Sequence, residues 1–370
     1  MSGQQEVEAP DRCIIDVAGD VLPESSWLGP QDAPHIFDGV REEFALADLV
    51  FVNLEEPVTD AGTVTPYKNR AEVRAGRDYI LRARNAAIPE IFKAAGVGLV
   101  GLANNHMMDY TGAGLRDTLR VFHQAELPVV GAGLKPEAER AYIFAACGIR
   151  VALLAFTDIV PPNYQATEFR LGVAATKYEG DLIDAIKRAR QHADFVIVMM
   201  HWGGQGGHLI TPRQRQLARL MAKSGCAAVI GMHPHVLQGV EYMGTMPVFY
   251  SIGNFAFPSS RQVARESIIV RLTIGLQGLE KVEIVPAEIS REGAPSIATG
   301  TMGQEILSHL DGFCRMFNSR IDQNKLAPGP VRDKLIYDNS GGHIRRRSSA
   351  ASRHHTHAQV LRRAGSVSCS

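Results

Sequence analysis

Cys13-Ile14-Ile15-Asp16-Val17-Ala18-Gly19-Asp20 decides how the rest of the chain is read. A short β-branched run closing on a glycine and a carboxylate reads as a buried strand that delivers Asp20 into a loop. The arrangement recurs. Leu49-Val50-Phe51-Val52 ends in Asn53-Leu54-Glu55, and Gly98-Leu99-Val100-Gly101-Leu102 ends close to Asn104-Asn105-His106. Residues 195–200 run into His201-Trp202-Gly203, and residues 227–230 into Gly231-Met232-His233-Pro234-His235. Each apolar run thus finishes in side chains that carry oxygen or imidazole donors.

Between these strands the apolar spacing predicts helices over residues 36–47, 89–95 (with proline at the start), 114–124, 182–191 and 213–223. A short strand is expected at residues 129–130, and a hairpin from residues 143–146 and 150–156 around Gly148. Residues 57–76, rich in turn formers and charges, read as a long surface excursion. After residue 235 the texture changes: residues 236–241, 248–251, 267–274 and 281–285 look like strands with no helix between them. A β-α alternation that passes into a β-rich second half predicts an α/β fold of two packed sheets with helices outside. Residues 306–321 read as one more helix. The expected organisation is a flexible N-terminus over residues 1–12, a main domain over 13–293, a partly helical extension over 294–340 and a basic tail over 341–370. The tail has arginines at 345–347, 353, 362 and 363 and no acid. It reads as disordered, with a nucleic-acid arm as the alternative.

The 370 residues carry 39 Lys and Arg against 39 Asp and Glu, so no global field favours nucleic acid or an anionic membrane. The five cysteines are dispersed and form no Cys-x-x-Cys pair, which argues against a disulfide framework or a thiolate zinc site. Cys13, Cys147, Cys226 and Cys314 read as small core residues. No basic-then-apolar leader opens the chain, and no run of about 18 apolar residues occurs, so no membrane segment is expected and the reading is cytoplasmic.

In layered α/β folds, sites collect where strand ends and loops converge. Asp20, Asn53, Glu55, Asn105, His201, His233 and His235 are therefore the candidate metal ligands. Carboxylate, amide oxygen and imidazole suit one or two borderline divalent ions such as Mn, Zn or Fe. His233 and His235, at alternate positions of an extended segment, would point the same way, so that two adjacent ions each take one. Glu55, with two oxygens, can bridge them. Paired divalent ions activate water and clamp a phosphoryl group. Taken singly, Asp20 and Asn104-Asn105 also read as ordinary turn formers.

The stretches Gly19-Asp20-Val21, Asn53-Leu54-Glu55-Glu56-Pro57, Ala103-Asn104-Asn105-His106 with Asp109, His201-Trp202-Gly203, Gly231-Met232-His233-Pro234-His235-Val236 and Tyr250-Ser251-Ile252-Gly253-Asn254-Phe255 occur in this order. Together, over roughly residues 13–290, they resemble the poly-γ-glutamate capsule biosynthesis (CapA-like) family, related to the calcineurin-like metallophosphoesterases. The resemblance implies a four-layer α/β/β/α sandwich. It implies one ion on Asp20, Glu55 and His235 and another on Glu55, Asn105, His201 and His233. It places His106 where such enzymes keep a histidine that protonates the leaving group, with Asp109 orienting it. Lys68, among the basic residues of the excursion, is implied as a substrate contact. Trp202 and Asn254 are implied likewise, with structural packing as their alternative. Three features depart from the pattern: Asp20 is followed by Val21-Leu22 rather than completing Asp-x-His, Gln205 stands where an acid is common, and no membrane anchor is seen. The expected function is metal-dependent hydrolysis of a phosphoester or related anionic substrate. The alternatives are an accessory role in γ-glutamyl or amide bond assembly, with a γ-glutamyl-type substrate, and a non-catalytic module that binds metal or anion.

Overall fold

The computed structural model describes residues 12–24, 33–317 and 319–328. The first half alternates as expected: β1 (Arg12–Val21), α1 (Arg41–Phe44), β2 (Leu49–Leu54), α2 (Arg70–Arg74), α3 (Ile88–Ala94), β3 (Leu99–Gly101), α4 (Thr111–Gln124) and β4 (Val129–Val130). Strands β1 to β4 lie side by side and parallel. A small pair, β5 (Ala132–Gly133) with β8 (Gly172–Val173), flanks α5 (Lys135–Ala138) and the hairpin of β6 (Tyr142–Ala146) and β7 (Ile149–Thr157). Cys147 (φ 51°) and Gly148 (φ 75°) form its turn, both left-handed, as a two-residue hairpin loop requires. Cys147 is accordingly exposed, not a core residue.

A second alternation follows: α6 (Glu179–Arg190), β9 (Phe195–His201), α7 (Pro212–Ser224), β10 (Ala228–Met232), then β11 (Val240–Met243) and β12 (Met246–Phe249). These strands form a sheet ordered β11-β12-β10-β9-β7-β6. Helix α7 shows its sequence signals plainly. Thr211 and Gln214 make a reciprocal capping box, proline sits at its start, and Gly225 ends it at φ 87°.

The chain then returns to the first sheet through β13 (Asn254–Ala256), β14 (Glu266–Gly275), β15 (Gly278–Ile289) and β16 (Pro295–Ile297), with α8 (Gly300–Cys314), β17 (Ser319–Asp322) and β18 (Lys325–Pro328) after them. The order is β17-β18-β15-β14-β1-β2-β3-β4, with β13 on β1 and β16 on β15.

Alternating side chains divide the packing into layers. Phe51 of β2 faces inward with Ile15, Val17 and Leu99, meeting Leu153, Ile197, Met199 and Ile230 of the second sheet. Its neighbours Val50 and Val52 face outward onto Phe44, Phe92 and Phe122 of α1, α3 and α4. Behind the second sheet, Leu154, Val196, Val198 and Val229 pack on Leu182, Ile186, Leu217 and Met221 of α6 and α7. The result is a four-layer α/β/β/α sandwich. Each such fully buried side chain contributes roughly 1.5–3 kcal/mol.

Several boundaries differ from expectation. The helix expected over residues 36–47 is regular only at Arg41–Phe44, and the strand expected from residue 236 begins at Val240. The helix expected to reach residue 321 stops at Cys314. Ile306, Leu310 and Cys314 complete its buried stripe, and Ile321 instead pairs with Leu326 between β17 and β18. Residues 295–328 extend the first sheet through β16 and β18 on β15, so no packing break follows residue 293. All described residues fall in one unit, Met1–Val331. The expected flexible residues 1–11 and basic tail 341–370 lie outside the described residues. Among the described residues no helix is long and apolar enough to cross a membrane.

Candidate metal centre

The strand ends do converge. The pairing of β1 with β2 shifts register between Val17 and Asp20, a bulge that re-aims the strand end. Asp20 thereby stands level with Asn53 on one side and Asn254 of β13 on the other. Gly19 permits the close approach of β13: a Cβ there would lie 2.2 Å from the Gly253 carbonyl oxygen. His201 is the last residue of β9, opposite Met232 of β10. His233 and His235 follow β10 with φ of 93° and 57°. The two rings therefore converge through left-handed loop residues, not through the alternation of an extended segment. Such backbone costs on the order of 1–3 kcal/mol per residue and gathers at functional sites. The His233 amide donates to Asp20 Oδ2 at 3.1 Å, which ties this loop to β1.

Two groups of ligand atoms result. Glu55, His201 and His233 offer atoms all within 4.8 Å of one another, and so do Asp20, Glu55 and His235. Glu55 belongs to both. His201 Nε2 lies 2.7 Å from Asn105 Oδ1, 3.0 Å from His233 Nδ1 and 3.3 Å from Glu55 Oε1. One ring nitrogen cannot donate to three acceptors at once, whereas four such atoms around a cation is ordinary coordination. Both Glu55 oxygens are buried and receive no aligned hydrogen bond, and His201 Nδ1 is likewise unpartnered. A carboxylate so placed costs several kcal/mol unless a cation compensates it. The donor set therefore fits divalent metal.

Charges within the cluster act in opposite senses. Burial would raise the Glu55 carboxyl, but His235 and His201 outweigh it and hold it below the usual carboxylate range. Burial would lower His235, but Glu55 and Asp20 outweigh it and hold it up to about 9. His233 is pushed well down by burial, reinforced by His201 and His235. Glu56, beside Glu55 in sequence, is pushed well up by burial despite a bond from the Glu24 amide.

The remaining expected residues divide by what they touch. Asn53 donates from Nδ2 to Asp20 Oδ1 at 2.8 Å and accepts from Asn104 Nδ2 at 3.2 Å. Both ends of its amide are engaged by protein, so in this arrangement it supports Asp20. Asn254 accepts from His235 Nδ1 at 2.8 Å and donates to the Ala264 carbonyl. It sets the ring rather than facing substrate, leaving His235 Nε2 toward Glu55 at 3.7 Å. Trp202 is fully buried in the outer layer and donates to the Tyr250 carbonyl at 2.8 Å, so it packs and does not line the site.

His106 and Asp109 are joined, Nδ1 to Oδ2 at 2.8 Å. Asp109 also accepts from Tyr164 Oη at 2.9 Å and from the Leu81 amide at 2.8 Å. Lys68, 2 % exposed at its side chain, sits 2.8 Å from Asp109 Oδ1 and donates to the Tyr79 carbonyl. Its Nζ also lies 2.9 Å from His106 Nδ1, so its charge is directed inside the protein at the His106–Asp109 pair. Sequence reading missed two contributors. Asn104 accepts from the His106 and Met107 amides and donates to the Leu54 carbonyl, fastening the ligand-bearing loop to β2. Its place before Asn105 was the signal. Tyr164 gave no signal.

The four-layer sandwich thus brings a shared carboxylate to the point where the two sheets' strand ends meet. The chain belongs to the bacterial capsule synthesis protein family (PGA_cap), which it matches over residues 14–259. It is 34% identical over 267 residues to the PGA biosynthesis protein CapA of Bacillus subtilis, covering 71% of this chain and 67% of that protein. It is 32% identical over 273 residues to the capsule biosynthesis protein CapA of Bacillus anthracis, covering 72% and 64%. The aligned region spans about two thirds of the length of these relatives. Among solved structures it is similar to the NAD nucleotidase of Haemophilus influenzae, with a TM-score of 0.44 and 13% identity over 80% of this chain and 62% of that one.

Proposed function

We propose that this chain is a metal-dependent hydrolase of a phosphoester or related anionic substrate. The observation that carries the reading is Glu55, a buried carboxylate shared by two ligand groups with no hydrogen bond to either oxygen. Asp20, Glu55 and His235 would hold one ion, and Glu55, Asn105, His201 and His233 the other, with Mn, Zn or Fe all suited to these donors. Bound there, such ions supply Lewis acidity and an activated water. The chain's own groups do the rest. Asp109 fixes His106 through Nδ1, which leaves Nε2 to give a proton to the leaving group. Lys68 and Tyr164 hold Asp109 from its other oxygen. Asn53 and Asn254 orient Asp20 and His235.

The test is a panel of phosphomonoesters and phosphodiesters with each added metal. Turnover is expected to need metal, to vanish in His201→Ala, and to fall about 10²- to 10⁴-fold in His106→Gln. Turnover unchanged in His201→Ala overturns the reading. The names of two relatives, the PGA biosynthesis protein CapA of Bacillus subtilis and a probable polyglutamine synthesis accessory protein of Mycobacterium tuberculosis, favour a second reading, an accessory in assembling a γ-glutamyl polymer. A partner ligase that copurifies, together with no turnover by the purified chain, would favour it.

A further inference from the structure

A cavity of about 730 Å³ shares a wall with the His106–Asp109 pair. Tyr164 and Thr65 line it. The Tyr164 hydroxyl donates to Asp109 Oδ1 and the Thr65 amide donates to the Asp109 carbonyl at 2.8 Å, so one hydrogen bond separates the cavity wall from the group that fixes His106.

Its lining has a definite chemistry. Arg116 of α4 and Arg170 both line it, and none of its described lining residues is acidic. Arg116 is exposed and has no ion pair or hydrogen bond among the described residues. Arg170 makes only long 3.4 Å bonds, to Asn163 Oδ1 and the Gln165 carbonyl, and meets no carboxylate. Two aromatic rings complete the set: Tyr67 is 47% exposed and Phe169 is 93% exposed. An exposed phenyl ring forgoes burial worth roughly 1.5–3 kcal/mol, and beside two uncompensated guanidinium groups it offers a face on which a flat group can rest.

We propose that this cavity is a binding site, separate from the metal centre, for an organic anion with a flat part. Its carboxylate or phosphate pairs with Arg116 and Arg170, and its aryl ring or peptide plane lies on Tyr67 and Phe169. The binding itself follows from the cavity alone.

The experiment is calorimetric titration of two probes, phenylphosphonate and a tri-glutamate peptide, at low salt. The host protein is the full chain carrying His201→Ala and His233→Ala, so that anion binding at the metal centre is removed. Binding of at least one probe is expected. It should fall roughly tenfold or more in Arg116→Ala with Arg170→Ala, recover in part with lysine at both positions, and weaken with added salt. Phe169→Ala should weaken it without altering the salt dependence. Binding of the phosphonate alone identifies a phosphate-bearing ligand, and of the peptide alone a carboxylate-bearing one. Equal binding with and without the two arginines, or no binding of either probe in the low millimolar range, overturns the proposal.

Discussion

Glu55→Gln keeps the shape of the shared ligand and removes its charge. In wild type, each site occupied at about 100 times its Kd adds about 2.7 kcal/mol to stability. Two sites add about 5 kcal/mol, which for a chain of this size is a rise of roughly 10–20 °C in Tm at about 2–4 °C per kcal/mol. Because Glu55 belongs to both ligand groups, its loss weakens both. Changing groups that merely orient a metal ligand already lowers affinity about 10–100-fold, so loss of the shared ligand is taken as about 100-fold or more at each site. The same metal concentration then gives under about 1 kcal/mol in the variant, a rise of roughly 2–4 °C. The assay is thermal melting after chelation, with Mn²⁺ or Zn²⁺ titrated back. In chelator the variant is expected to melt below wild type, because His235 loses the largest of the counter-charges that hold it protonated. A metal-dependent rise in Glu55→Gln equal to that of wild type would refute the shared-ligand geometry.

Metal-free stability should depend on pH through His235. Its folded value of about 9 lies above the ordinary value of about 6.5, so its contribution is complete below about pH 6.5 and is lost as pH rises through about 9. Urea unfolding in chelator should show that fall, and His235→Gln should abolish it. His233, held low, acts oppositely and costs stability as pH drops below about 6.5. Asp109→Asn leaves the buried Lys68 without its nearest counter-charge and should cost about 3 kcal/mol in urea unfolding, whereas Asp109→Asn with Lys68→Met, which removes the stranded charge and keeps an acceptor at 109, should recover part of it. In native protein at pH 8, iodoacetamide should modify Cys147, which is exposed. It should spare Cys13 and Cys226, both pushed up to about 12 by burial, and Cys314, pushed up to about 11. Peptide mass spectrometry separates these sites.

Asp20, Glu55 and His201 were legible in the sequence because period and composition mark where a buried strand stops, and these residues stand at the stops. What the sequence pattern does not carry is direction. Trp202 follows His201 directly, yet alternation sends its ring to the outer layer while His201 stays at the site. Asn53 lies level with Asp20, but only the neighbouring Asn104 fixes which end of its amide meets the carboxylate. Lys68 was implied as a substrate contact, and its pairing with Asp109 was not legible because that residue is 41 positions away and buried. His233 and His235 converge through left-handed backbone, which no residue type there announces. The end of α8 was misplaced because Ile321 continues an apolar pattern that belongs to the next strand.

The most direct measurement is the metal content of purified, reconstituted protein by elemental analysis, beside a His201→Ala, His233→Ala variant shown to be folded. Glu55 shared between two ligand groups requires about two divalent ions per chain in wild type and their loss in the variant. A wild-type chain that holds no metal after reconstitution with Mn, Zn or Fe contradicts the metal centre and the hydrolysis inferred from it.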